Sequence, residues 1–404
     1  MTKQQKIIIF ILASVNFTHI LDFMIMMPLG NYLMPHFKIT PEQFSYVVAS
    51  YSISAFVSGL VAMAFVDRFD RKKVVLLAYT GFLIGTFCCG IASTHYFLMA
   101  SRIVAGLFGG VLGSQVLSIV SDSFSYEHRG KAMGYLFSAF SFASVIGIPL
   151  SLFLASKFGW HTPFFFIAGL GVIILFCIAK FLPPFTTHLI DKDKRVPPFV
   201  MIGNILSNKI NLTGFALGAT LMMGHFLIIP FLNPYMQHNV GFDDWQRNLV
   251  YIVGGLVTIF SAPMAGKLAD KYGKHKVFYC FAALSLIPIY VITHLTAIPY
   301  YYVLCITGIW FVLSSSRNIP AQALVSNLVP PQQRGSFQSF NSCVTSAFVG
   351  LASLIAGKVV TQDAAGKPHH YSTTGFMSIG VVILAMIIAT QIPKQEKAKY
   401  GQCK

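Results

Sequence analysis

The sequence predicts an all-α membrane protein of twelve transmembrane helices arranged as two pseudo-symmetric six-helix bundles. Three observations carry that prediction: a shortage of charge, a lopsided placement of the charges that are present, and a repeat spanning half the chain. Of 404 residues, 55% are hydrophobic, 10% are charged and 37 are phenylalanine. A soluble domain carries roughly 25% charged residues and needs them to cover its surface. Intrinsic disorder requires low hydrophobicity. Both classes are excluded. The net charge of +16 would suit a nucleic-acid binder, but its placement gives it another origin.

A hydrocarbon core about 30 Å thick takes roughly 20 apolar residues as a helix. Only helices are expected, because lipid offers no water to satisfy open backbone. Twelve runs qualify, near 7–34, 44–66, 74–93, 96–121, 132–156, 162–182, 210–236, 247–266, 277–296, 298–326, 336–359 and 372–392. The opening resembles a signal peptide, yet its apolar run far exceeds a signal core and reads as an uncleaved first span. The expected organisation is an N-terminal six-helix bundle over 1–182, a central loop over 183–209, a C-terminal bundle over 210–393 and a basic tail over 394–404.

Twelve spans bring both termini to one side. The termini, the central loop and the loops on their side hold 22 lysines and arginines, and the opposite loops hold 5. Cytoplasmic loops retain positive charge. Both termini and the central loop are therefore expected in the cytoplasm of a multi-pass inner-membrane protein, and topology explains the net charge without nucleic acid. Arg102 and Arg317 stand apart, inside apolar runs.

The repeat is legible in three landmarks. "MAFVDRFDRKKV" at 63–74 recurs as "GKLADKYGKHKV" at 266–277, offset by 203. "YEHRGKAMGYLF" at 126–137 recurs as "PQQRGSFQSFNS" at 331–342, offset by 205, and "MMPLGNYLM" at 26–34 as "IIPFLNPYM" at 228–236, offset by 202. Many transporters are built from such halves, with substrate bound near the bilayer midplane between them.

These motifs resemble the major facilitator superfamily over essentially the whole chain. That family writes the loop after its second span as Gly-x-x-x-Asp-Arg/Lys-x-Gly-Arg/Lys-x-Arg/Lys. The C-terminal copy fits with Gly266, Asp270, Lys271, Gly273, Lys274 and Lys276. The N-terminal copy keeps Asp67, Arg68, Arg71 and Lys73 but has Met63 and Asp70 in place of glycines. "LMASRIVAGLFGG" at 98–110 is similar to the fourth-span motif of drug:proton antiporters, through Arg102 and Gly106. "ASVIGIPLSLFLASKFGW" at 143–160 is similar to a fifth-span motif of the sugar- and drug-efflux branch, with Ser151 replacing its last glycine. The tighter Gly-Pro-x-x-Gly-Gly antiporter motif is absent, because Ile148 separates Gly147 from Pro149. The resemblance implies a role for Arg102 in proton coupling. It also implies a cytoplasmic conformational latch of Asp67, Arg71 and Asp122, echoed by Asp270 and Lys274.

Asp22 is the only acid in the middle of a span. A carboxylate there costs about 2.5–3.5 kcal/mol on insertion scales, and it persists when protonated, paired or facing a cavity. Asn16, His19 and Asp22 follow at steps of three on one helix. His225 falls at the equivalent place in the second half, and an imidazole titrates in the physiological range when unperturbed. Asp22, Arg102, His19 and His225 are the proton-coupling candidates, the alternative being a hydrogen-bonded latch between helices. Asn16, Tyr51, Gln115, Arg317, Asn318 and Asn341 are the substrate-binding candidates, with Arg317 suited to an oxygen-rich or anionic group. Ala139, Ala143, Gly147, Ser151 and Ala155 recur every fourth residue, and Ser342, Ser346 and Gly350 begin a similar face. Small residues so placed let helices approach closely.

Other chemistry is thin. The seven cysteines read as apolar fillers rather than a disulfide or metal framework. No Gly-Lys pair completes a phosphate loop, so no ATP drive is expected. No cofactor is implied, and His369-His370 reads as a solvated loop. His238 and Asp243 match an acyltransferase spacing that short loops produce by chance. The expected protein is a monomeric proton-coupled exporter of a small organic molecule working by alternating access. An importer or facilitator on the same fold is the alternative, and a membrane sensor or membrane-embedded enzyme is a remote one.

Overall fold

The computed structural model describes residues 2–65, 69–124, 126–185, 203, 207–328, 334–363 and 366–392. The chain is almost wholly helical: α1 Lys3–Ile25, α2 Gly30–Phe37, α3 Pro41–Phe65, α4 Arg71–Gly90, α5 His95–Ser123, α6 Tyr126–Phe142, α7 Ile148–Phe158 and α8 Thr162–Phe181. There follow α9 Lys209–Phe226, α10 Ile229–His238, α11 Asp244–Tyr272, α12 Lys274–Thr293, α13 Tyr300–Asn327, α14 Arg334–Val359 and α15 Tyr371–Ala389. A small antiparallel hairpin, β1 Thr361–Gln362 with β2 Pro368–His369, joins α14 to α15. Eleven helical stretches among the described residues are long and apolar enough to cross a membrane. The 28-residue α13 stands where the tenth span is expected. Its polar run from Ser314 to Asn318 lowers its mean hydropathy. Large apolar side chains such as Phe10, Leu77, Phe176 and Phe260 are exposed, which in water would be an aggregation surface and in a bilayer is the face lipid covers.

The chain divides into two compact units, the first comprising Met1–Leu29, Val47–Ile205 and Gln338–Ala347. In it α4 packs on α5 and α8, and α1 packs on α6 and α8. The core that results is aliphatic and aromatic, built around Leu12, Val15, Tyr79, Phe82, Leu112 and Ile119. The Thr18 and Tyr79 hydroxyls meet at 2.9 Å and tie α1 to α4. Between α6 and α7 a π-helical turn spans Ala143–Gly147. An i, i+4 stripe drifts around an ordinary α-helix because the repeat is 3.6 residues. The wider π-turn compensates, and Ala139, Ala143, Gly147, Ser151 and Ala155 are all buried. A Cβ on Gly147 would meet Leu21 Cδ1 at 2.6 Å, so this stripe seats α1 beside Asp22. The second small-residue face is less complete: Ser342 is exposed and Ser346 half-buried.

The second unit comprises Gly30–Tyr46, Leu206–Phe337 and Phe348–Lys404. There α13 packs on α11 and α12, and α15 packs on α9 and α12. Each expected first span of a half breaks near its end. The first ends at Ile25 and resumes as α2 at Gly30; the other ends at Phe226 and resumes as α10 at Ile229. The repeated landmark carrying Pro28 and Pro230 marks these breaks, because proline removes a backbone donor.

The two copies of the second-span loop close differently. Gly273 takes φ +92°, open to glycine at little cost, and its N–H bonds the Ala269 carbonyl to end α11. Asp70 stands at the matching place but has φ −58° and caps α4, accepting from Lys72 N at 3.0 Å and from Phe185 N at 2.9 Å. The departure from glycine exchanges a left-handed turn for an N-cap.

Candidate functional site

The first unit gathers a buried polar cluster from three helices. Asp22, on α1, accepts at Oδ2 from Arg102 Nη1 of α5 at 2.6 Å, and neither residue is exposed. The Arg102 guanidinium also sits 4.3 Å from the centre of the Tyr51 ring on α3, a cation–π contact strengthened by desolvation. Pairing offsets part of the cost that the sequence poses for Asp22, since each charge compensates the other where water is absent. The His19 ring lies one turn back, 6.2 Å from Tyr51 and 5.8 Å from Phe82 between ring centres.

Two glycines make this assembly possible. A Cβ on Gly109 of α5 would fall 2.6 Å from the Tyr51 hydroxyl and 2.9 Å from His19 Nε2. One on Gly106 would overlap the Tyr51 carbonyl and the Ser54 hydroxyl. Glycine at both positions lets α3 and α1 close on α5 until Arg102 reaches Asp22. Several buried polar atoms there make no hydrogen bond with a described residue: Asp22 Oδ1, Arg102 Nε, His19 Nε2, Tyr51 Oη and Gln115 Oε1. Such unpaired capacity in one place is costly and is what a ligand or proton site requires. Asn16 is committed otherwise, its Nδ2 donating to the Leu136 carbonyl at 3.2 Å.

The second unit holds a cluster of different charge. Arg317 on α13 is fully buried and donates from Nη1 to Ser285 Oγ of α12 at 2.7 Å. The His225 ring, at the end of α9, stacks on Trp310 with centres 5.0 Å apart and planes 18° from parallel. Asn318 borders a cavity of about 10 Å³ lined also by Leu221, Met222 and Ala321, room for about one water. Asn341, expected with this group, belongs to the first unit, where it is buried.

The residues expected to form a latch are described in part. Asp67 lies outside the described residues, as does the side chain of Asp122. Arg71 is buried at the start of α4, Asp270 is exposed and Lys274 half-buried.

Sequence reasoning missed several participants. Trp310 and Ser314 share a face of α13 with Arg317 and Asn318, at the i, i+4, i+7, i+8 spacing that would have found them. In the second unit, Asn31 of α2 donates to Gln237 of α10 at 2.6 Å and to the Asn233 carbonyl at 3.2 Å. Two loop groups singled out by the sequence have structural partners. Asp243 accepts from Gln246 N at 2.7 Å as the N-cap of α11, and His369 meets Asp363 at 3.2 Å.

Comparison with known proteins agrees with this architecture. The family model described as Major Facilitator Superfamily matches residues 12–353 and again 214–402. The chain is 25% identical over 397 residues to the uncharacterized MFS-type transporter YceJ of Bacillus subtilis (strain 168), covering 96% of this chain and 97% of the relative. It is 23% identical over 400 residues to multidrug resistance protein 2 of the same organism, covering 98% and 97%. Among solved structures, a D-xylose-proton symporter superposes with TM-score 0.74 at 14% identity, over 94% of this chain and 96% of the other.

Proposed function

Because the chain belongs to the Major Facilitator Superfamily and is a membrane transporter rather than an enzyme, we propose that it is a proton-coupled exporter of a small organic molecule, acting by alternating access. The observation that carries this reading is the buried Asp22–Arg102 pair at 2.6 Å. A proton and Arg102 compete for the same carboxylate. Protonating Asp22 removes the charge that holds the guanidinium and releases Arg102 toward Tyr51, which it already touches. One proton thereby rearranges α1, α3 and α5 together, and that rearrangement is the coupling step. His19, with an unpartnered Nε2 beside the pair, relays the proton, and His225 serves the second half.

Asn16, Tyr51, Gln115 and Asn341 are the substrate-binding candidates of the first unit, and Arg317 and Asn318 those of the second. Asp67, Arg71 and Asp122 form the cytoplasmic latch, with Asp270 and Lys274 as its weaker copy. The 22-to-5 distribution of basic residues supports cytoplasmic termini in a bacterial inner membrane. Export is favoured over import by the resemblance of 98–110 to antiporters and by the similarity to multidrug resistance protein 2. The test is reconstitution with Asp22→Asn. Pumping against a gradient is expected to vanish while cargo exchange persists. Undiminished pumping by the variant contradicts the assignment.

A further inference from the structure

We infer that Arg317 is an anion receptor, and that the transported molecule is a small organic monoanion whose carboxylate-type group completes the charge on α13. This deepens the transport reading by naming the chemical class of its cargo. The two buried arginines differ in one respect. Arg102 has its carboxylate within the first unit. Arg317 makes no ion pair among the described residues. The sequence explains why: between Asp244 and Asp363 it holds a single acid, Asp270. Asp270 lies in the last turn of α11 and is exposed. A fully buried guanidinium without a countercharge is among the least favourable arrangements a membrane protein can keep.

The arrangement of donors indicates what completes it. Nη1 is held by Ser285, whose own hydroxyl donates onward to the Ala282 carbonyl at 2.7 Å. Nε and Nη2 make no hydrogen bond to a described residue. Those two groups form one edge of the guanidinium fork, whose spacing matches the two oxygens of a carboxylate. Trp310 Nε1, Ser314 Oγ and His225 Nδ1 are also buried and make no hydrogen bond to a described residue. Trp310 and Ser314 lie on the same face of α13. The set is rich in donors and carries a single positive charge, so it balances a monoanion and would leave a phosphate dianion half compensated. The stacked Trp310 and His225 rings add an apolar flank suited to an organic body.

The test is thermal unfolding of the purified full chain in detergent, with benzoate and 3-phenylpropionate against benzamide and 3-phenylpropionamide. Carboxylates are expected to raise the wild-type midpoint where the amides do not. Arg317→Met is expected to weaken carboxylate binding about 10- to 100-fold, and Arg317→Lys to keep the preference for carboxylate over amide at reduced affinity. A second arm requires no ligand. Arg317→Met removes an uncompensated charge while leaving Ser285 satisfied, so the ligand-free variant is expected to melt about 2 °C or more above wild type. Amides protecting as well as carboxylates, carboxylate protection surviving in Arg317→Met, or a lower melting point for that variant would each overturn the proposal. Because binding in detergent needs no proton gradient, carboxylate binding without transport would leave Arg317 standing as an anion receptor and remove the exporter reading instead.

Discussion

Arg102 and Asp22, 80 positions apart in sequence, meet at 2.6 Å in a site that neither shares with solvent. Removing one partner of a buried pair strands the other, which typically costs 3–5 kcal/mol, on the order of several times the cost of losing both. Asp22→Asn and Arg102→Gln are each expected to lower the unfolding midpoint in detergent, and the double variant to recover much of the loss. A thermal double-mutant cycle reads this directly. Additive losses would show that the two residues do not stabilise each other.

Gly109 separates the packing requirement from the charge. Gly109→Ala places a methyl group against Tyr51 Oη and His19 Nε2, an overpacking typically worth about 1–3 kcal/mol. The expected outcome is a folded, inserted protein with impaired transport, and a larger residue there should be worse. Gly113, one turn further along α5, has open space where its Cβ would lie. Transport by Gly113→Ala equal to wild type would locate the effect at the crowded position.

Asp70 tests the exchange of a turn glycine for a cap. Asp70→Ala is expected to lose about 1 kcal/mol through the α4 N-cap and to free Phe185 N as well. Asp70→Gly should lose less of the capping term, because glycine is tolerated at N-caps. Denaturant unfolding of the two variants distinguishes them, and equal losses would mean that the Phe185 tether dominates.

If the cargo is a monoanion leaving as a proton enters, each cycle moves two charges in the direction the membrane potential favours. That amounts to about 4.6 kcal/mol of drive per 100 mV. Valinomycin-clamped proteoliposomes measure it: flux should respond to voltage with two charges per anion. A stoichiometry of one points to neutral cargo.

Much of this was legible in the sequence, for identifiable reasons. Lipid leaves helices as the stable spanning choice for such runs, so hydrophobic length alone gave their number and order closely. Asp22, Arg102 and Arg317 were visible because a charge in an apolar run has few explanations. What was not legible was pairing. Nothing in the spacing of residues 22 and 102 says that they touch, whereas Arg317 donates to Ser285; that depends on which helix faces meet. The glycines at 106 and 109 that permit the contact look like ordinary small residues until the helices are packed. The break after Ile25, absorbed into one long span, is local backbone geometry signalled only by Pro28. Trp310 reads as one more aromatic until its stack with His225 is seen, on the face of α13 that also carries Arg317.

Coupling of protons to cargo through Asp22 is read out in acidified inside-out vesicles carrying a pH-sensitive dye. Drugs, sugars and organic anions are added to wild type and Asp22→Asn side by side. At least one compound, an organic monoanion above all, is expected to dissipate the gradient with wild type and leave it intact with Asp22→Asn. Equal proton release by the two proteins, or cargo movement in wild type without any proton release, would contradict it.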